Sequence, residues 1–172
     1  EGAGRYHYRV KARNSWWASN WSNVERVDVL WEAEPNDDPL TQADGPIASG
    51  LTYYGAFPSA TDEKDYFYFE LVVPEQVELW LTSIPLDHNY DLVLRDPADM
   101  LDPVGYSGEG SNADEHIKTS VLPAGRYYVQ VYNRSESSST DPYQLKVVYE
   151  GSATRLGGTA VHRPPELPVS AT

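Results

Sequence analysis

"RYHYRVKA" (residues 5–12) alternates Tyr6, Tyr8 and Val10 against Arg5, His7, Arg9 and Lys11. Successive side chains of an extended chain face opposite sides, so this period of two marks a half-buried β-strand. The same reading fits "RVDVLW" (26–31), "DYFYFEL" (65–71), "QVELWLTS" (76–83), "YDLVLRD" (90–96), "RYYVQVYN" (126–133) and "YQLKVVYE" (143–150). Each is bounded by Gly, Pro, Asn or Asp, the residues that end strands. No apolar stripe at helical spacing exceeds about two turns. One helix candidate remains, a brief turn near "DPLTQAD" (38–44) that Asp37 or Asp38 would cap. Seven short strands with this punctuation predict an all-β fold, a β-sandwich or jelly roll.

The chain of 172 residues is long enough for one good core. Acids outnumber bases by 26 to 13, a formal charge of −13. Phosphate contacts need a basic surface, so a nucleic-acid partner is not expected, whereas acidic excess suits an extracellular protein or one that takes up cations. The absence of cysteine rules out disulfides, thiolate zinc sites and Cys nucleophiles. No run of 18 apolar residues exists to span a membrane, and residue 1 begins neither with Met nor with a signal-peptide pattern, which reads as a piece of a longer protein.

Charge divides the chain into three. Residues 1–30 carry five basic and three acidic side chains (+2), residues 31–150 carry 6 and 22 (−16), and residues 151–172 come to +1. The expected organisation is a β-hairpin arm over 1–30, a β-sandwich over 31–150 and a Gly/Pro-rich extended tail over 151–172.

Two acidic clusters stand out. In "WEAEPNDD" (31–38) an extended backbone would turn Glu32, Glu34 and Asn36 to one side, and "SATDEKDYF" (59–67) adds Asp62 and Asp65, with Glu63 nearby. Calcium takes six to eight oxygen ligands of this kind. Without a cation, joining the clusters would set like charges together and raise their pKa values. The alternative is that Glu32 and Glu34 are solvated linker charges and Asp37 caps a turn.

Two families enter here. "GAGRYHYRVKARNSWWASNWSNVERVDV" resembles the last two strands of a fibronectin type III domain, with Tyr-x-Tyr-Arg-Val at its centre and the earlier strands without counterpart. Residues 32–149 resemble the bacterial pre-peptidase C-terminal domain, through "EAEPND", "GAFPSATDEKDYFYFEL", "YDLVLRD", "ADEHIKTSVLPAGRYYVQVYN" and "YQLKVV". That resemblance implies a jelly-roll module of secreted bacterial peptidases and collagenases. It also implies a Ca2+ site between linker and domain, with Glu32, Glu34, Asn36, Asp37, Asp62 and Asp65 as ligands.

Other chemistry finds less support. There is no EF-hand loop, and His7, His88, His116 and His162 lack metal-ligand spacing. "GYSGEGSN" is not Gly-x-Ser-x-Gly, and acid pairs such as Asp87 and Asp91 or Asp96 and Asp99 arise readily among 26 acids, so no enzyme is expected. Trp16, Trp17 and Trp21 would fill a groove between strands, or else stack on sugar rings or a partner. Asn20 and Asn133 head Asn-x-Ser acceptor triplets, and "SESSST" (135–140) reads as a polar loop. The expected function is a non-catalytic, secreted structural module that self-associates through residues 1–30 and 151–172, building a fibre by arm or strand exchange with Ca2+ fixing the arm–body junction. The alternative is an accessory module of a secreted hydrolase that binds matrix protein or polysaccharide or aids secretion.

Overall fold

The computed structural model describes residues 4–22 and 25–150, with side chains described for 9–22 and 29–150. The segment 151–172, and with it the expected tail and its part in self-association, lies outside the described residues.

The described residues form ten strands and no helix. They are β1 (Gly4–Tyr8), β2 (Glu25–Trp31), β3 (Thr52–Phe57), β4 (Lys64–Leu71), β5 (Glu75–Thr82), β6 (Tyr90–Asp96), β7 (Asp99–Ser107), β8 (Glu115–Leu122), β9 (Gly125–Asn133) and β10 (Ser139–Val148). One sheet runs β1-β2-β3-β10-β5-β8 and the other β4-β9-β6-β7. The all-β sandwich expected from the sequence is the observed architecture.

All seven sequence-derived strands are present, and three more join them. β8 alternates from Glu115 to Ser120 and slips phase before Leu122, but its buried positions include Glu115 and Thr119 beside Ile117, so polarity conceals the pattern. β7 contains Pro103 and Gly105 and is mostly exposed, as befits an edge strand. β3 is only six residues long and includes Gly55. The helix candidate is a single turn over 39–42, whose entry Asp38 caps: its Oδ1 accepts from Leu40 N, Thr41 N and the Thr41 hydroxyl, each at 2.9 Å.

The core lies between the sheets. Alternate residues of β4 (Phe67, Phe69, Leu71), β5 (Val77, Leu79, Leu81) and β10 (Tyr143, Leu145, Val147) point inward and are almost fully buried. Phe57, Tyr90 and Tyr143 meet at its centre, Phe57 and Tyr90 edge to face at 4.9 Å. The arm is a hairpin in which β1 pairs antiparallel with β2. Its far end is held by Ser19 N to Ala12 O and Ser22 N to Val10 O. β2 then joins the body as a parallel neighbour of β3, through Leu30 with Tyr53 and Trp31 with Tyr54.

The β5–β8 register shifts between Gln76 and Glu78. Thr119 repairs the irregularity: its hydroxyl accepts from Val77 N at 3.0 Å and donates to Val77 O at 3.3 Å. Thr119→Val keeps the shape and β-branching but strands a buried backbone N–H, so it should cost about 1–3 kcal/mol. Urea unfolding followed by tryptophan fluorescence measures this, and the exposed control Val121→Thr should stay within about 0.5 kcal/mol of wild type.

Candidate cation site at the arm–body junction

The chain leaving β2 brings the first acidic cluster onto the sandwich. Glu32 N donates to Tyr54 O at 2.9 Å, continuing the β2–β3 pairing by one step and turning the Glu32 side chain towards the interior. Its Oε1 accepts from Ala56 N at 2.6 Å, and its Oε2 lies 3.0 Å from the Tyr143 hydroxyl and 3.3 Å from Asn36 Nδ2. Asn36 is itself fully buried, anchored where its carbonyl accepts from Tyr66 N at 2.9 Å. β4 supplies Asp65, fully buried, whose Oδ2 lies 2.5 Å from the same Tyr143 hydroxyl.

Carboxylate oxygens of Glu32, Glu34 and Asp65 lie within 4.8 Å of one another. Asp62 and Asp37 stand at the margin: both are electrostatic neighbours of Glu34, and neither belongs to that tight group. Buried oxygens of Asn36 (Oδ1), Asp62 (Oδ1) and Asp65 (Oδ1) have no hydrogen-bond partner among the described residues. A buried acceptor left this way costs about 1–3 kcal/mol, so these oxygens call for a proton, a water or a cation.

Electrostatics agree. Burial, then the neighbouring Glu34 charge, pushes the Glu32 carboxyl up to about 7 against the hydrogen bonds it accepts. Burial, then Glu34 and Asp37, does the same to Asp62, again to about 7. Asp65 is raised well above the usual carboxylate range by burial and by Glu32, and Glu34 is raised by burial, Asp37 and Asp44. Among the described residues no lysine or arginine figures in the electrostatic surroundings of these four acids, and none of the described ion pairs reaches them. The Tyr143 hydroxyl has one proton for two carboxylates, so hydrogen bonding alone cannot neutralise the pair. An oxygen-only, carboxylate-rich pocket of this kind suits a hard cation such as Ca2+ better than zinc, which favours His and Cys ligands.

Three participants escaped the sequence reading. Tyr143 is placed by β10, 78 residues beyond Asp65, and no local spacing announces it. Asp44 caps the turn back from the linker, its Oδ2 accepting from Ala33 N at 2.5 Å. Gly55 leaves room for the cluster, because a Cβ there would overlap both Glu32 Oε2 and the Tyr143 hydroxyl. Two other readings change. Trp16, Trp17 and Trp21 are 94, 62 and 51 % exposed, so they fill no groove among the described residues. Asn133 is buried, donating to Ser137 O and accepting from Ser135 N, which removes it as a glycan acceptor, whereas Asn20 is exposed.

Fold and site together define an all-β module with an acidic, oxygen-lined junction. Residues 63–133 match the family model of the bacterial pre-peptidase C-terminal domain. The match runs from the residue before β4 to the end of β9; of the six expected ligands it contains Asp65, and the other five precede it. Among solved structures, the pre-peptidase C-terminal domain of a collagenase from Bacillus anthracis is 20% identical, with a TM-score of 0.48, over 59% of this chain and 90% of its own. A periplasmic inhibitor of g-type lysozyme from Aeromonas hydrophila is 17% identical, with a TM-score of 0.45, over 63% and 95%.

The raised carboxyls make stability pH-dependent in a definite direction. In chelator, the folded state holds protons that the unfolded chain releases above the ordinary values of 4.5 for Glu32 and 3.8 for Asp62. Stability therefore falls as pH rises from about 4 through about 7, and the loss is complete above that. Urea midpoints at pH 5 and pH 8 in EDTA measure the slope, and Glu32→Gln should flatten it.

Proposed function

We propose that this chain is a non-catalytic extracellular module in which Ca2+ fixes the N-terminal hairpin to the sandwich. Glu32, Glu34, Asn36 and Asp65 hold the ion, Asp62 closes the site from the β3–β4 loop, and Asp37 adds charge from the rim. The observation that carries this reading is the convergence of Glu32, Glu34 and Asp65 around a fully buried carboxylate that has no ion-pair partner among the described residues. Calcium would convert three like charges from a cost into ligands. Because Glu32 and Asn36 come from the linker and Asp65 from β4, occupancy would also set the angle at which the arm leaves the body. The family match supports the broader role, an accessory module of a secreted hydrolase, since pre-peptidase C-terminal domains are modules of secreted proteases.

Thermal melts of the whole chain at pH 7.5 test the clamp. Millimolar Ca2+ should raise the midpoint over that in EDTA, by about 2.7 kcal/mol of stability at a hundredfold excess over Kd. Glu32→Gln and Asp65→Asn should each abolish the increment while keeping side-chain volume. An unchanged midpoint in Ca2+ would sink the clamp.

A second reading is self-assembly by arm exchange. It is favoured by the position of β1 at the outer edge of the six-stranded sheet, joined to the body through β2, and by the +2 arm facing a −16 body. Electron microscopy in Ca2+ and after chelation should then show filaments that loosen or change pitch without the ion. Compact single particles under both conditions would leave the accessory module alone.

A further inference from the structure

β4 has two faces. Asp65 points inward to the cation cluster, while Lys64 and Tyr66 point outward onto a cleft of about 460 Å3 across the four-stranded sheet. Residues 31–150 contain only 6 basic side chains, and three of them, Lys64, Arg95 and Arg134, line this cleft against a single lining acid, Asp91. Half the cations of a body of net charge −16 have been gathered into one place.

They are also held in position. Arg134 Nε lies 3.1 Å from Asp91 Oδ2, and the Tyr106 hydroxyl donates to that same oxygen at 2.9 Å. Arg95 Nε donates to Gln130 Oε1 at 2.9 Å, and its Nη1 to Met100 O at 2.7 Å. Asp91 and Gln130 are 3 and 4 % exposed. Burying such groups is unfavourable unless they are partnered, and here their partners are the guanidinium groups of the cleft. Lys64 Nζ and Arg134 Cζ lie 5.7 and 5.2 Å from the centroid of Tyr132, which tethers both to one ring. Buried polar groups that aim exposed cations are the supporting shell of a preorganised anion site.

We infer that this cleft binds a short carboxylate-bearing saccharide of the uronic acid class. A guanidinium group has five donors, and the bonds above engage two on Arg95 and one on Arg134, which leaves planar N–H pairs for a carboxylate. Tyr106, 57 % exposed, offers an aromatic surface to a sugar ring. A peptide adding as a strand would pair at the outer edge of β4 or β7 and would not lie over the middle of the cleft, whose floor comes from the central strands β9 and β6. The acidic body limits the length: only an oligomer lying within the cleft avoids its repulsion, which salt screens beyond about 8 Å. This inference deepens the accessory-module reading by naming its ligand and uses no residue of the proposed Ca2+ clamp.

Isothermal titration calorimetry of the whole chain with trigalacturonic acid tests it, with neutral maltotriose and triglutamate as comparators. Trigalacturonic acid should bind at least about tenfold more tightly than either. Lys64→Gln should weaken it by about tenfold, the worth of one charge-assisted hydrogen bond, with an unchanged urea midpoint, and Arg95 is kept because its Nε partners the buried Gln130. Arg134 is left intact because its removal strips Asp91 of its ion pair. Equal binding of maltotriose, triglutamate binding as tight as the uronate, or no uronate binding at millimolar concentration overturns the proposal. Binding that survives while Ca2+ fails to stabilise would refute the clamp alone.

Discussion

The hydroxyl of Tyr143 ties the molecule together. It sits on β10, inside the larger sheet, and meets Asp65 of the smaller sheet and Glu32 of the linker leaving the arm. Its ring packs at the centre of the core against Phe57 and Tyr90. One side chain thus joins hydrophobic packing between the sheets to the polar junction at their edge. Its proton can serve only one of the two carboxylates at a time, so the other needs a proton of its own or a cation.

That constraint explains the surroundings. Gly55 is glycine because the oxygens of Glu32 and Tyr143 occupy the space of a side chain. Asn36 is buried because its amide donates to Glu32 while its backbone carbonyl receives Tyr66 N. The outward face of the same strand serves an opposite purpose, since the alternation that sends Asp65 inward sends Lys64 and Tyr66 towards the basic cleft. An acidic cluster and a cleft rich in basic side chains lie one residue apart along β4, on opposite faces of the sheet.

Much of this was legible in the sequence. Strands such as "DYFYFEL" and "QVELWLTS" follow the period of two because one face meets the core, and their punctuation fixed seven of the ten. β8 stayed hidden because Glu115 and Thr119 occupy inward positions, Glu115 accepting from the Ser107 hydroxyl and from Glu109 N, and Thr119 bonding Val77. The acidic motifs pointed to the junction, and the structure brings Glu32, Glu34, Asn36 and Asp65 together there while leaving Asp37 and Asp62 at its margin. The tryptophans read as groove-filling turned out exposed, since residue type does not say what lies opposite.

Sequence alone determined the fold class, the acidic character of the body and the two motifs that supply the junction, because these follow from local periodicity and charge. Tertiary structure decided what those motifs meet. Tyr143 reaches Glu32 across 111 residues, and Arg134 and Arg95 share a cleft only because β9 pairs with β6. Such contacts depend on strand order and register, and an antiparallel sheet can join residues at any separation along the chain.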